Sequence, residues 1–377
     1  MKILFLSHTA MDGYFVVGSH HLARECTILG HDVIHVSSPI TLGHLLLLRS
    51  GFIRSKFRKA LLIGLSKASP IDIVPLTLLP WTLVRFSAPL RRLMYSPTHY
   101  IKSIIKKSWN TSPDLIVIDE PRLLDIIDLY KDCTVIYRPT DLYSKIRNDK
   151  SLDTLEKQIV ENGRYRLIAM SDPIKDNLLR IGAKKVLKIE NGVDYELFST
   201  PMALPNEIVL THANIAVYVG AFDSRFSLEH VLCAAKLNLE AEFLLIGPAC
   251  SEIQKLASGY PNIRWLGPVD HHILPSILQR CKVGLLPLST HPANQGRSPM
   301  KIYEYAAAGL PVVATTTNEL QSRSLPFVSL CNTPNEFAQC IKQTFNESHE
   351  FNKDIPQRIA KQYSWKEIAR VILIGSQ

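Results

Sequence analysis

Short runs of apolar residues recur along the chain at helix-length intervals. In the first half they fall at 2–7, 32–36, 115–118, 134–137, 166–170 and 185–189; in the second at 216–219, 241–246, 263–266, 283–286, 311–314 and 327–330. They are rich in Val, Ile and Leu and do not alternate with polar residues, the pattern of parallel strands covered on both faces. Amphipathic stretches separate them, such as 19–29, closed by Gly30, and 227–237. This alternation predicts α/β architecture, and two groups of six runs predict two doubly wound sheets.

Between the groups, 196–205 has no clear period and carries Pro201 and Pro205, so it reads as a linker. The expected domains are therefore 1–195 and 196–355. A last helix within 356–377 opens on the capping-box spacing Ser364-Trp365-Lys366-Glu367 and either stays with the second domain or crosses back to the first. A length of 377 residues suits two domains.

One interval is too long. About 78 residues separate the second run from the third, where a crossover unit needs roughly 30. The excess, about 40–110, holds 12 Lys and Arg against the single acid Asp72. The segment thus carries +11 of a net +9, and the remainder carries −2. Mixed with Leu45, Leu46, Leu47, Leu48, Phe52, Trp81, Phe86 and Trp109, this basicity has the chemistry of a surface for anionic lipid. The plainer reading is an inserted helical cap with a solvated basic face. No nucleic-acid-binding module is recognisable.

Seven cysteines, an odd number with no C-x-x-C pair, argue against a disulfide framework or a cysteine zinc site and for reduced, buried thiols. The apolar N-terminal run is too short for a secretory signal, and no stretch reaches about 18 uninterrupted apolar residues. A cytoplasmic protein is expected.

The first strand is not followed by G-x-G-x-x-G, and no G-x-x-x-x-G-K-[ST] occurs, which argues against nicotinamide or flavin binding and P-loop phosphoryl transfer. The most informative segment is 297–314. Ser298 is placed to cap a helix with Pro299 at its first position, Gly309 to end it, and Pro311 to start a strand. The backbone N–H groups of Met300 and Lys301 would then form an anion site suited to a diphosphate. Lys301 and Glu304, three apart, share a face; the ammonium can neutralise phosphate while the carboxylate accepts from ribose hydroxyls. Spacing alone fits a capped surface helix with a local ion pair equally well.

The run from Lys301 through Glu304-Tyr305-Ala306-Ala307-Ala308-Gly309-Leu310-Pro311 resembles the donor-binding helix of GT-B glycosyltransferases. Asn191-Gly192-Val193-Asp194 resembles their turn ahead of the linker, and Tyr218-Val219-Gly220-Ala221 the first strand and glycine loop of their donor domain. Segment 263–269 resembles the strand and loop beside the nucleotide base, and 281–287 the strand before the donor helix. The resemblance implies the GT-B fold: two Rossmann-like domains facing a central cleft, acceptor on the first and nucleotide-sugar, UDP-linked by the same resemblance, on the second. The Ser298-Pro299-Met300-Lys301 version is similar to bacterial exopolysaccharide glucuronosyltransferases of the xanthan type. That implies inverting, metal-independent transfer to a saccharide or lipid-linked saccharide at the inner face of the plasma membrane. The retaining GT-B enzymes carry a Glu eight residues before the second Glu; here Gly296 stands there.

Donor-site candidates are thus Gly220, Arg225, Val269, Ser298, Met300, Lys301 and Glu304, with Arg225 as a diphosphate clamp or a solvated loop residue. An inverting transferase needs a base for the acceptor hydroxyl. Asp141, just past the fourth strand and where the resemblance to xanthan-type enzymes implies a catalytic Asp, is the first candidate. Asp119, Glu120, Asp12, His20 and His21 are the others; Asp12, His20, His21 and Glu120 are also acceptor-site candidates. A UDP-sugar 2-epimerase of the same fold and a non-catalytic sugar-nucleotide-binding subunit remain the alternatives. No metal site is expected.

Overall fold

A computed structural model describes residues 1–377 apart from 12–15, 42, 45–50, 62–68, 78, 95–97, 148, 211, 249–250 and 375–377. Its strands are, in chain order, β1 (Lys2–Ser7), β2 (Asp32–Ser37), β3 (Ile40–Thr41), β4 (Ile71–Ile73), β5 (Leu76–Thr77), β6 (Leu115–Ile118), β7 (Thr134–Tyr137), β8 (Arg166–Ala169) and β9 (Leu187–Lys188). After them come β10 (Ile215–Val219), β11 (Glu242–Ile246), β12 (Ile263–Gly267), β13 (Val283–Leu286), β14 (Val312–Thr315) and β15 (Val328–Cys331). The chain divides into two compact units, one of Met1–Glu190 with Lys366–Gln377, the other of Asn191–Trp365.

Unit 1 is built on a parallel sheet in the order β4-β2-β1-β6-β7-β8-β9. Central β1 pairs with β2 on one side and β6 on the other, so Leu4 lies between Ile34 and Ile116. These residues join Leu6, Val36, Ile118 and Tyr137 in a buried cluster on one face, and Ile3, Phe5, Val33 and Val117 are buried on the other, which explains why the runs do not alternate. Beyond the expected six strands, β4 extends the edge by pairing with β2.

The 40–110 stretch is therefore not a single insertion. Its last helix, Thr98–Trp109, buries Ile101, Ile105 and Trp109 in the sheet core and serves as an ordinary crossover into β6. Part of its basicity is also neutralised by acids distant in sequence. Arg91 pairs with Asp125 at 3.0 Å, and Arg85 with Asp149 at 3.4 Å. Trp81, half-buried, donates its ring N–H to Asp149. Of the expected lipid-facing residues, Trp109 is core, and Leu45, Leu46, Leu47, Leu48 and the Phe52 side chain lie outside the described residues. Phe86 is 77% exposed, beside Leu83 at 67%. Among the described residues, no helix is long and apolar enough to cross a membrane.

Unit 2 carries a parallel sheet in the order β12-β11-β10-β13-β14-β15. Ile215, Val217 and Val219 enter the cluster on one face, Ala216 and Tyr218 the cluster on the other. Helix Met300–Ala307 covers the first face, and Gly284 of β13 sets how closely. A Cβ on Gly284 would come within 2.5 Å of the Tyr305 ring. Without it the ring lies on the strand, and its hydroxyl accepts from the Val219 amide at 3.0 Å. Helix Trp365–Ile374 begins at the last residue of unit 2 and runs on in unit 1.

Candidate functional site

In unit 2, candidate groups gather where strands of a parallel sheet end. Gly220 follows β10 and Gly247 follows β11, with the Gly220 amide donating to the Ile246 carbonyl at 3.0 Å. At Gly247 φ is +140°, and a Cβ would sit 1.9 Å from the Gly220 carbonyl oxygen, so only glycine fits. Val269, two residues past β12, packs against the core under helix Met300–Ala307.

That helix starts one residue later than expected. Pro299 is extended, with ψ 114°, and stands at the cap position, so Met300 is the first helical residue. Ser298 does not cap it; its hydroxyl oxygen accepts instead from the Asn191 amide at 3.1 Å and from Arg323 at 3.0 Å. The first-turn N–H groups of Met300 and Lys301 still have no helical acceptor behind them, the condition for binding an anion.

One turn in, the Glu304 carboxylate is buried, 2.5 Å from the Lys301 ammonium and 4.0 Å from His271 Nε2. Burial alone would raise its pKa; Lys301 first, then His271, outweigh that and hold it at about 2. It is a permanent acceptor, suited to hydroxyl donors. Arg225 is held by Asp223 through Nε at 3.0 Å and Nη2 at 2.5 Å, an ion pair that a diphosphate clamp would have to share. Buried Asn294 donates to the carbonyls of Arg225 and Ser289, both at 2.9 Å, and so fixes the two loops together. Sequence reading missed His271 and Asn294: one lies in a turn and the other in a short 3-10 helix, neither in a recognisable motif, and only the fold brings them to the site.

In unit 1 a polar cluster occupies the ends of β1, β6 and β7. Buried Glu120 accepts from Arg122 at 2.7 Å and from Arg147 at 2.9 Å. Burial raises its carboxyl, but the two guanidiniums, Arg122 foremost, pull it down to about 2. A carboxylate so stabilised is a poor base, and its contacts make it an anchor for the two arginines. Asp119, also buried, accepts from Ser7 Oγ at 3.1 Å, and Ser7 bonds Ser19 at 2.7 Å. His8, the residue after β1, places Nδ1 3.9 Å from Asp119 Oδ1. Its burial favours the neutral ring, yet the negative charge of the nearby Asp119 carries its pKa above the usual imidazole value. Arg138 lies beneath, lowered to about 10 by burial against the pull of Asp119, and so stays charged at neutral pH.

Asp141 is half-exposed, four residues past β7. Its loop is tied to the β6 end by Tyr143, whose hydroxyl accepts from the Thr140 amide at 3.0 Å and donates to the Asp119 carbonyl. The expected base thus shares one loop cluster with Asp119 and Glu120. His20 sits in the first turn of helix Gly18–Ile28. It is fully buried, bonds the Thr9 carbonyl at 3.0 Å, and is held near pKa 4, mainly by burial and then by His35. It pins the β1 loop as a neutral ring. His21 is buried beside it, and Asp12 lies outside the described residues. His8 went unnoticed as a candidate because its partner is more than a hundred positions away.

Residues 213–347 match the family Glycosyl transferases group 1. Over 267 residues the chain is 28% identical to TuaH of Bacillus subtilis (strain 168), named as a glycosyltransferase of teichuronic acid biosynthesis; the match covers 65% of this chain and 67% of TuaH. Sucrose-phosphate synthase from Thermosynechococcus elongatus superimposes with TM-score 0.70 at 17% identity, over 99% of this chain and 97% of that one. HepE of Anabaena, solved in complex with UDP and glucose, does so with TM-score 0.67 at 16% identity, over 100% and 99%. The fold is GT-B, as the sequence resemblance implies, and residues 213–347 are a glycosyl transferases group 1 domain.

Proposed function

We propose that this glycosyltransferase moves a sugar from a UDP-linked donor to a saccharide acceptor, lipid-linked, in bacterial polysaccharide synthesis. The observation that carries the donor assignment is the buried, ionised Glu304 beside Lys301 in the first turn of helix Met300–Ala307. Phosphate oxygens would lie against the first-turn N–H groups and Lys301, and ribose hydroxyls would donate to Glu304. HepE, of like fold, binds UDP, and TuaH is named for polymer synthesis, which supports both halves of the reading.

The transfer is inverting and needs no metal. The acceptor oxygen attacks the anomeric carbon, its proton passes to Asp141, and the carbon–oxygen bond to UDP breaks. The leaving diphosphate is stabilised by Lys301 and the helix N-terminus. A second base has one observation in its favour: His8, with Nδ1 turned to buried Asp119, has the partner that orients an imidazole for proton transfer. The protein works at the inner face of the plasma membrane, where exposed Leu83, Phe86 and Leu90 meet the bilayer. A screen of nucleotide-sugars with lipid-extract acceptor, scored by release of nucleoside diphosphate, tests the reading. UDP release that depends on acceptor and survives EDTA supports it; abolition by EDTA with rescue by Mn²⁺ removes the metal-free mechanism.

A further inference from the structure

The chain enters unit 2 at Asn191 and leaves it at Trp365. These two crossings are bonded to each other, Val193 N–H to the Tyr363 carbonyl and Trp365 N–H to the Val193 carbonyl, both at 3.0 Å. Helix Met300–Ala307 and the Ser298 just before it hold both. Tyr303 stacks on Tyr363 with centroids 4.3 Å apart and planes 17° from parallel. On the other side, Ser298 is bonded to Asn191 twice: its hydroxyl oxygen accepts from the Asn191 amide at 3.1 Å, and its carbonyl from Asn191 Nδ2 at 2.9 Å.

Arg323 completes this arrangement from helix Asn318–Arg323. Its side chain is 2% exposed and that of its partner Glu319 is 0% exposed. Nε and Nη2 both donate to Glu319 Oε1, at 3.0 and 2.8 Å, while Nη2 also donates to Ser298 Oγ at 3.0 Å. Burying such a pair is costly unless further hydrogen bonds satisfy its remaining N–H groups, and the Ser298 hydroxyl supplies one of them. A hydroxyl oxygen has two lone pairs and one proton. At Ser298 the lone pairs are taken by Arg323 and the Asn191 amide, so the proton is the bonding capacity that remains, two residues before Met300.

We infer that Arg323 is a positioning residue of the nucleotide site: with the Asn191 amide it turns the Ser298 hydroxyl into an obligatory donor to the diphosphate at the start of helix Met300–Ala307. The inference rests on the nucleotide placement proposed above. It also couples that site to the crossing at Asn191, because both use the same oxygen.

The test is a double-mutant cycle on the full chain, with UDP and uridine as probes and melting curves to confirm folding. Arg323→Met and Ser298→Ala should each weaken UDP about 10-fold and leave uridine within about 2-fold, since only the diphosphate feels the hydroxyl. The double variant should be no weaker than Ser298→Ala alone, and Arg323→Lys should recover part of the loss. Additive losses, or a parallel loss of uridine, would overturn the inference. If Arg323→Met does not fold, Arg323→Lys and Ser298→Ala carry the cycle with the same criterion. Wild-type protein that binds no UDP would instead remove the nucleotide placement itself.

Discussion

His8 and Asp119 directly follow β1 and β6, strands paired side by side, and the turn after β1 brings the ring to 3.9 Å from the carboxylate. Burial opposes charging the ring, but Asp119 prevails and the pKa rises above 6.5. If His8 accepts the acceptor proton, it must be neutral. Turnover should then climb with pH through a midpoint above 6.5, and His8→Gln should abolish that limb. A carboxylate base would place the limb in the acid range. The stability sign is opposite: a raised folded pKa makes the pair's contribution full below the unfolded value and lost as pH rises through the folded one.

Asp141→Asn should lower turnover at least about 10²-fold, the usual scale for losing a general base. UDP affinity should hardly change, since Asp141 belongs to unit 1 and the nucleotide residues to unit 2. Near-normal turnover in Asp141→Asn, with collapse in His8→Gln, would assign the base to the dyad. Glu120→Gln is expected to act differently. It releases Arg122 and Arg147 from a carboxylate held near pKa 2, so lost stability should accompany any lost activity.

Lys301→Ala should weaken UDP by roughly 1.5–3 kcal/mol, the loss of one charge-assisted contact. Glu304→Ala should weaken it through the ribose and also leave Lys301 without its 2.5 Å partner. Uridine separates the two: Glu304→Ala should weaken it, and Lys301→Ala should not. Calorimetry that finds UDP affinity unchanged in both variants would reduce the pair to a local ion pair of the helix.

The strands were legible because burial on both faces leaves continuous apolar runs. β4 was not: Ile71-Asp72-Ile73 is short, lies between Pro70 and Pro75, and gains its place only by pairing with β2. Lys301 and Glu304 were legible because helical spacing alone puts them on one face. Ser298 was misread as a cap because its competing partners, Asn191 and Arg323, are distant in sequence. The local charge count left out partners for the same reason, since Asp125 and Asp149, which pair with Arg91 and Arg85, lie beyond the segment.

Glu156 offers a stability test away from the site. It is 2% exposed, accepts from the Tyr137 hydroxyl at 2.6 Å, and burial raises it from 4.5 to about 7. The folded state thus holds a proton that the unfolded state has lost, and stability falls as pH rises from 4.5 towards 7. Glu156→Gln keeps an oxygen for Tyr137 and cannot ionise. It should be nearly neutral at pH 5 and stabilise at pH 8, by at most roughly 3 kcal/mol. Urea melts at the two pH values check this; equal effects at both would mean that Glu156 does not titrate there.

Membrane attachment should be weaker and more apolar than the +11 of segment 40–110 suggests. Arg85 and Arg91 are already paired, whereas Arg54 and Arg58 are exposed. Each exposed Lys or Arg near an anionic surface contributes about 1 kcal/mol, and salt screens it. Leu83, Phe86 and Leu90, at 67, 77 and 42% exposure, would add a part that salt does not screen. Vesicle co-sedimentation should therefore require anionic lipid and fall, without vanishing, at high salt. Arg54→Gln with Arg58→Gln should reduce the salt-sensitive part, and Phe86→Ser with Leu83→Ser the remainder. UDP binding, which uses unit 2, should survive all four changes. Equal sedimentation with neutral and anionic vesicles, or none with either, would leave the segment an ordinary solvated cap and point to a soluble acceptor.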